Sequence, residues 1–256
     1  MRVNDVINER CSLLRGDCLD RLSGVPDSSV DLILTDLPYG TTQNRWDSLI
    51  PLVPLWEQYW RIATPNAAVV LFAAQPFGSL LISSQLQQWK QTLIWKKNVA
   101  SNFLNAKRQH LVIHEEVHVF SAGTPPYFPQ MQPGKPYKMK RSGKDDTGDC
   151  YGNIKKRTDT LNEGTRYPTT VLEFARETGL HPTQKPVALL EYLIKTYSIE
   201  GDVVLDSTMG SGSTGVAALG CGRRFIGIEL DEKYFSVAVD RLASQEKIHS
   251  TTRIIV

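Results

Sequence analysis

Near the C-terminal end, Val203–Leu219 (VVLDSTMGSGSTGVAAL) sets an acid, Asp206, between an apolar run and a glycine-rich turn that leads into small helix-forming residues. The pattern predicts strand, loop and helix. Gly210, Gly212 and Gly215 have the G-x-G-x-x-G spacing that lets backbone approach a nucleotide-like ligand at a helix N-terminus. Glu229, 19 residues beyond Gly210, ends a second apolar run, Arg224–Leu230. A carboxylate at the end of a second strand can bind ribose hydroxyls. The candidate ligand-binding residues here are Asp206, Ser207, Thr208, Gly210, Ser211, Gly212, Ser213, Thr214, Glu229 and Leu230, with an ordinary tight turn as the competing reading.

Three ligand classes use such a loop. A P-loop places a phosphate-binding lysine after the last glycine, and Val216 stands there instead. A dinucleotide domain needs a second mononucleotide-binding half, and beyond Glu229 there is room only for a helix, about residues 231–244, and a short tail. Asp206 suits a cationic ammonium better than a pyrophosphate. S-adenosylmethionine carries such a group.

A second stretch, Ser29–Gly40 (SVDLILTDLPYG), holds a mostly apolar run, Val30–Leu34, of the kind buried on both faces of a parallel sheet. It ends in Asp36, Leu37, Pro38, Tyr39 and Gly40, which stop the strand. In open parallel sheets ligands sit at the carboxyl ends of strands, so an acid and an aromatic here are placed for chemistry. A strand-terminating turn with a surface tyrosine is the alternative. Ser12–Asp17 reads as another short strand, and Asp17 either reaches the same ligand, with Cys18 beside it, or caps a helical turn over Cys18–Leu22.

TDLPYG and LDSTMGSGSTGVAA, with HPTQKP (His181–Pro186) just before the second, resemble the DNA amino-methyltransferases that act on exocyclic amines. The D-P-P-Y-like motif precedes the cofactor motif, as in their β group. The resemblance implies an α/β fold: a Rossmann-like seven-stranded mixed sheet with helices on both faces, circularly permuted, with a small loop-rich insertion. It implies S-adenosylmethionine as cofactor, with Thr183, Gln184 and Lys185 near its methionine end. It implies double-stranded DNA as substrate, a target base flipped out of the stack, and methyl transfer to its exocyclic nitrogen. Asp36 and the Leu37 carbonyl would accept the amine's N–H groups, Pro38 would shape the turn and Tyr39 would stack on the base. Asp at the head of the motif resembles adenine-N6 enzymes more than cytosine-N4 enzymes, and no Cys follows a Pro as in cytosine-C5 enzymes. A homodimer and a cognate restriction endonuclease are the partners such enzymes often have. Two departures keep open a weakly active DNA-binding relative: Leu37 stands where the family has Pro, and Ser207-Thr208 where it has Pro-Phe.

These motifs need elements to hold them. Leu52–Ala63 places Leu52, Leu55, Trp56, Tyr59 and Trp60 at helical spacing. Residues 67–74 predict a strand, 76–89 a helix opened by proline and 91–97 another strand. Residues 98–109 are polar, with Lys107 and Arg108 as candidates to face DNA. His114-Glu115-Glu116-Val117-His118 matches the H-E-x-x-H zinc pattern, but Val117, Val119 and Phe120 read as a strand rather than a metalloprotease helix, so no metal is expected. From Gly123 to about Leu180 proline and glycine recur. Within Lys135–Arg157 there are eight basic residues against three acids, with Lys135, Lys138, Lys140, Arg141, Lys155, Lys156 and Arg157 as candidate phosphate contacts among interspersed tyrosines. By resemblance this is the target-recognition region. The expected organisation is therefore 1–122, 123–180 and 181–256. A helix follows His181–Pro186 with Val187, Leu190, Leu193 and Ile194 on one face, and residues 253–256 are expected as a last strand beside Ser12–Asp17.

Composition is consistent with this. At 256 residues, 41% hydrophobic and 22% charged, with a net charge of +2, the chain reads as one large domain with a small insertion. The polar start lacks the apolar core of a signal peptide and no run reaches a membrane span, so a cytoplasmic protein without a membrane partner is expected. Cys11, Cys18, Cys150 and Cys221 are scattered, without a C-x-x-C pair, and are expected to be reduced.

Overall fold

The computed structural model describes residues 5–40, 48–140, 159–177, 179 and 184–252, the first and last few of them (5–8 and 246–252) by backbone only. In chain order the elements are β1 (Asp5–Asn8), β2 (Cys11–Arg15), α1 (Cys18–Leu22), β3 (Val30–Asp36), α2 (Leu52–Ile62), β4 (Ala63–Ala73), α3 (Phe77–Ser84), β5 (Trp89–Ser101), β6 (Val112–Phe120), β7 (Gln132–Pro133), β8 (Tyr137–Met139), β9 (Thr160–Asn162), β10 (Thr165–Arg166), β11 (Val171–Glu173), α4 (Val187–Tyr197), β12 (Val203–Asp206), α5 (Ser213–Gly220), β13 (Arg224–Glu229) and α6 (Glu232–Thr252). Two compact units result, residues 1–128 with 170–256 and residues 129–169.

In the larger unit the strand order is β1-β2-β13-β12-β3-β4-β6-β5-β11. The seven strands from β2 to β5 are those the sequence predicts, and two short edge strands raise the sheet to nine. β2, β13, β12, β3 and β4 run parallel, whereas β6 is antiparallel to both its neighbours. The permuted order is visible at β2 and β13, from opposite ends of the chain, whose register pairs Arg15 with Glu229. Strand order reverses between β12 and β3, the position where open α/β sheets form a ligand crevice.

Alternation along the strands sends side chains to two cores. Leu32, Leu34, Val70 and Phe72 join Leu189, Leu193, Ala217 and Phe235 from α4, α5 and α6 on one face. Ile33, Val69 and Leu71 join Leu22, Leu55, Trp56, Tyr59 and Phe77 from α1, α2 and α3 on the other. Each large side chain so buried contributes roughly 1.5–3 kcal/mol, which holds the strand ends in register and so fixes the site.

Some boundaries differ from expectation. The helix after Pro76 stops at Ser84, because Trp89 opens β5 against Phe120 instead of continuing a helix. α6 extends to Thr252, capped by Asp231, whose Oδ1 accepts from the amides of Lys233 at 2.9 Å and Tyr234 at 3.1 Å. Residues 253–256 lie outside the described residues, and the described strand beside β2 is β1. His114–His118 lies on β6, so the two histidines are roughly 13 Å apart along a strand rather than one turn apart on a helix. Among the described residues no helix is long and apolar enough to cross a membrane.

Candidate active site

The carboxyl ends of β2, β13, β12 and β3 bring four acids to one edge of the sheet: Asp17, Glu229, Asp206 and Asp36. They line a cavity of about 350 Å³ together with Cys18, Leu37, Pro38, Tyr39, Gln184, Lys185, Ser207, Thr208, Gly210, Ser211, Ser213, Thr214 and Leu230. That volume lies in the range of small-molecule sites.

On one side the turn Asp206–Gly212 bends so sharply that Gly210 and Gly212 take φ of +51° and +79°, backbone that other L-residues rarely adopt. Glu229 fixes this turn: its Oε2 accepts from the Gly210 amide at 2.9 Å and its Oε1 from Asp231 at 2.7 Å. Burial pushes the Glu229 carboxyl up, against these two bonds. Arg241 of α6 reaches the Ser213 hydroxyl at 2.9 Å and the Ser211 carbonyl at 3.2 Å. Asp17 caps α1, accepting from the Leu19 amide at 2.9 Å, and also lines the cavity. Cys18 is a poor nucleophile here, since burial pushes its thiol up to about 12.

The two central aspartates have different surroundings. Asp206 is buried, and its Oδ1 accepts from the Thr35 hydroxyl at 2.6 Å and the Thr208 amide at 3.1 Å. Burial raises its carboxyl to about 6, partly offset by bonds from Thr214 and Thr35. Asp36 instead accepts the Tyr39 hydroxyl on Oδ1 at 2.5 Å and the Lys185 ammonium on Oδ2. Lys185 lies 3.3 Å from Glu115 Oε2, and Lys97 donates to Glu115 Oε1 at 3.0 Å. Burial pushes the Asp36 carboxyl up and Lys185 pulls it back. Burial also works against the Lys185 ammonium, but Asp36 and Glu115 outweigh it and hold the lysine charged. Glu115 is pushed up by burial and pulled below the ordinary carboxylate range by Lys185 and Lys97.

A ladder of hydroxyls joins the two acids. Thr208 Oγ1 donates to the Asp36 carbonyl at 2.9 Å and lies 2.9 Å from Thr35 Oγ1; Ser207 Oγ lies 2.6 Å from the Tyr59 hydroxyl. Ser207 and Thr208, the departures from the Pro-Phe pattern, therefore tie the turn to β3 and α2. Leu37 is 2% exposed and packs in the core of the α1–α3 face, so burial anchors the corner where the family uses a proline ring. Tyr39 lies beside Phe77, ring centroids 5.4 Å apart.

Most of the predicted site residues thus meet in one place. Gly212 does not: its amide donates to the Met209 carbonyl at 2.8 Å, and a Cβ there would stand 3.2 Å from that of Ala238, so it turns the chain and seats α6. Lys185, expected at the cofactor, ion-pairs with Asp36. Thr183, Arg141, Lys155, Lys156 and Arg157 lie outside the described residues. Lys107 and Arg108 are exposed between β5 and β6. Sequence reasoning missed Glu115, Lys97, Thr35 and Arg241. Charges at the ends of the apolar runs of β5 and β6, Lys97 and Glu115, are the available signal for the first two.

In the smaller unit β7 pairs with β10 and β8 with β9. Lys135, Lys138 and Lys140 are exposed, and Arg166 stacks over the Tyr137 ring at 4.8 Å while donating to Asn162 Oδ1 at 2.6 Å. Exposed lysines on a short, well-tied β framework can meet phosphates.

Known proteins resemble this chain in sequence and fold. DNA adenine methyltransferase YhdJ of Escherichia coli (strain K12) is 28% identical over 92% of this chain and 83% of its own length. The M1.HpyAVI–SAM complex superposes with a TM-score of 0.62 at 25% identity, covering 91% of this chain and 100% of that one. PvuII DNA methyltransferase, cytosine-N4-specific, shares the fold with a TM-score of 0.67 at 16% identity over 95% and 91% of the two chains. The N6/N4 DNA methylase family model matches residues 30–240, and the chain belongs to that family.

Proposed function

We propose that this protein is a site-specific DNA methyltransferase that modifies the exocyclic N6 of an adenine flipped out of double-stranded DNA. The observation that carries the reading is that the Asp36–Tyr39 corner and the Asp206–Thr214 turn line one cavity. S-adenosylmethionine supplies an activated methyl group on a sulfonium. The donor set suits it: Asp206 and Asp17 are acids for its ammonium and Glu229 for its ribose hydroxyls, beside the N-terminus of α5.

An exocyclic base nitrogen is a poor nucleophile because its lone pair is delocalised into the ring. The Asp36 carboxylate and Leu37 carbonyl accept its two N–H bonds, which favours a tetrahedral nitrogen, and the carboxylate stands ready for the proton that nitrogen sheds. Tyr39 stacks on the everted base and recovers part of the few kcal/mol of unstacking. Alignment is the main contribution and can be worth about 7–11 kcal/mol. The acid at the head of the corner and the adenine enzyme YhdJ favour N6-adenine over N4-cytosine. The exposed lysines of residues 129–169, with Lys107 and Arg108, are assigned to DNA contacts, and the smaller unit to target recognition. Mass spectrometry of nucleosides from DNA incubated with the protein and S-adenosylmethionine is the test: N6-methyladenine is expected, and N4-methylcytosine alone would reject the choice of base.

A further inference from the structure

The H-E-x-x-H stretch contributes an acid that the reaction described above does not use. Glu115 lines the cavity from β6, and its Oε2 is buried, aligned with no hydrogen-bond donor, 3.3 Å from Lys185 Nζ. Its other oxygen is fixed by Lys97 at 3.0 Å. Asp36, meanwhile, has both oxygens engaged, Oδ1 by the Tyr39 hydroxyl and Oδ2 by the Lys185 ammonium. An incoming amine needs one of those oxygens; a lone pair remains on each, but an ammonium on Oδ2 neutralises much of the carboxylate's charge and makes Asp36 the weaker acceptor and proton base.

We infer that Glu115 is a positioning residue that takes Lys185 from Asp36 when the base's amine arrives, so that one ammonium alternates between two carboxylates. The inference rests on the amine-methylating reading of the site. The first part of the exchange is small: contracting 3.3 Å to the ~2.8 Å of a charge-assisted hydrogen bond needs about half an ångström, after which the ammonium is held by both acids, and leaving Asp36 takes a further rotation of the flexible lysine end. The exchange also conserves charge. Asp36 and Glu115 balance Lys185 and Lys97 before and after, so no charge is stranded in a desolvated site.

Methyl transfer from labelled S-adenosylmethionine to unmethylated genomic DNA, measured against pH, tests this. For Glu115→Gln, kcat is expected to fall about tenfold with cofactor affinity within about twofold of wild type. The charged groups facing Asp36 are Lys185, Glu115 and, across the cavity, Asp206. Glu115 holds the Asp36 carboxyl up, so its removal is expected to move the acid limb of the kcat profile to lower pH, which a merely structural residue would not do. In a Lys185→Met background the same substitution is expected to cost less than about twofold, because the ammonium it directs is gone. An unmoved limb with wild-type kcat, or an equal cost in both backgrounds, overturns the inference. If Glu115→Gln fails to bind cofactor, Glu115→Asp replaces it: the shorter acid keeps the charge for Lys97 but withdraws from Lys185, and the same loss and the same non-additivity are expected. Wild-type protein that methylates no DNA would sink the underlying reading instead.

Discussion

Asp36 and Asp206 end neighbouring parallel strands, line the same cavity and are both pushed up by burial, yet they are compensated in opposite ways. Asp36 has a phenol on one oxygen and an ammonium on the other. Asp206 has hydroxyls and an amide, and its carboxyl rises to about 6. An acid supported only by neutral donors gains most from a cation that arrives with a ligand. An acid already holding one has given part of its charge to that cation and accepts a substrate's N–H less strongly while the cation stays. Under the proposed function the first environment suits a binding residue and the second a residue whose partners change during reaction.

Substitutions can break this division of labour. Asp36→Ala is expected to lower methyl transfer by about 10³-fold or more while calorimetry finds cofactor affinity within about threefold of wild type; a comparable loss of affinity would mean that the two acids share one role. Asp206→Asn is expected to weaken S-adenosylmethionine binding by about 10–100-fold, the scale of a lost hydrogen bond to a charged group, and to leave saturated kcat within a few-fold. The same contrast has a pH signature. Because the Asp206 carboxyl is raised to about 6, its attraction for an ammonium is present above that pH and is lost as pH falls through it. Cofactor affinity should therefore drop between pH 7 and 5 in the wild type and vary less in Asp206→Asn. Glu229, whose carboxyl burial also raises, contributes the residual slope.

The strands and their acids were legible because buried parallel strands announce themselves as apolar runs, and a glycine turn after an acid leaves few geometries open. β3 and β12 show both signals, and the meeting of β2 with β13 is what the permuted order implied by the family resemblance requires. What lay beyond reading were the contacts made across the fold. Nothing local to Lys185 says that it meets Asp36, 149 residues away, because that contact exists only once α4's lead segment crosses the end of β3. The two departures from the family pattern, Leu37 and Ser207-Thr208, looked like losses when read singly. In the fold each has support of its own, Leu37 in the core and the two hydroxyls from partners on β3 and α2, which a linear pattern cannot display.

The smallest expected effect tests whether the two acids are independent. Thr208 is the only described side chain that hydrogen-bonds to backbone of the Asp36 corner while its own amide bonds to Asp206. Thr208→Val removes the hydroxyl that donates to the Asp36 carbonyl but keeps that amide, so it loosens the Asp36 corner, proposed to be catalytic, and spares Asp206, proposed to hold the cofactor. Losing one such bond costs about 1 kcal/mol, which corresponds to roughly a fivefold fall in kcat, with cofactor affinity held within about twofold and activity restored in Thr208→Ser. Equal losses of kcat and affinity in steady-state and binding measurements would show that Thr35, Thr208 and both aspartates move as one unit, and the contrast between a binding acid and a reacting acid would no longer describe this site.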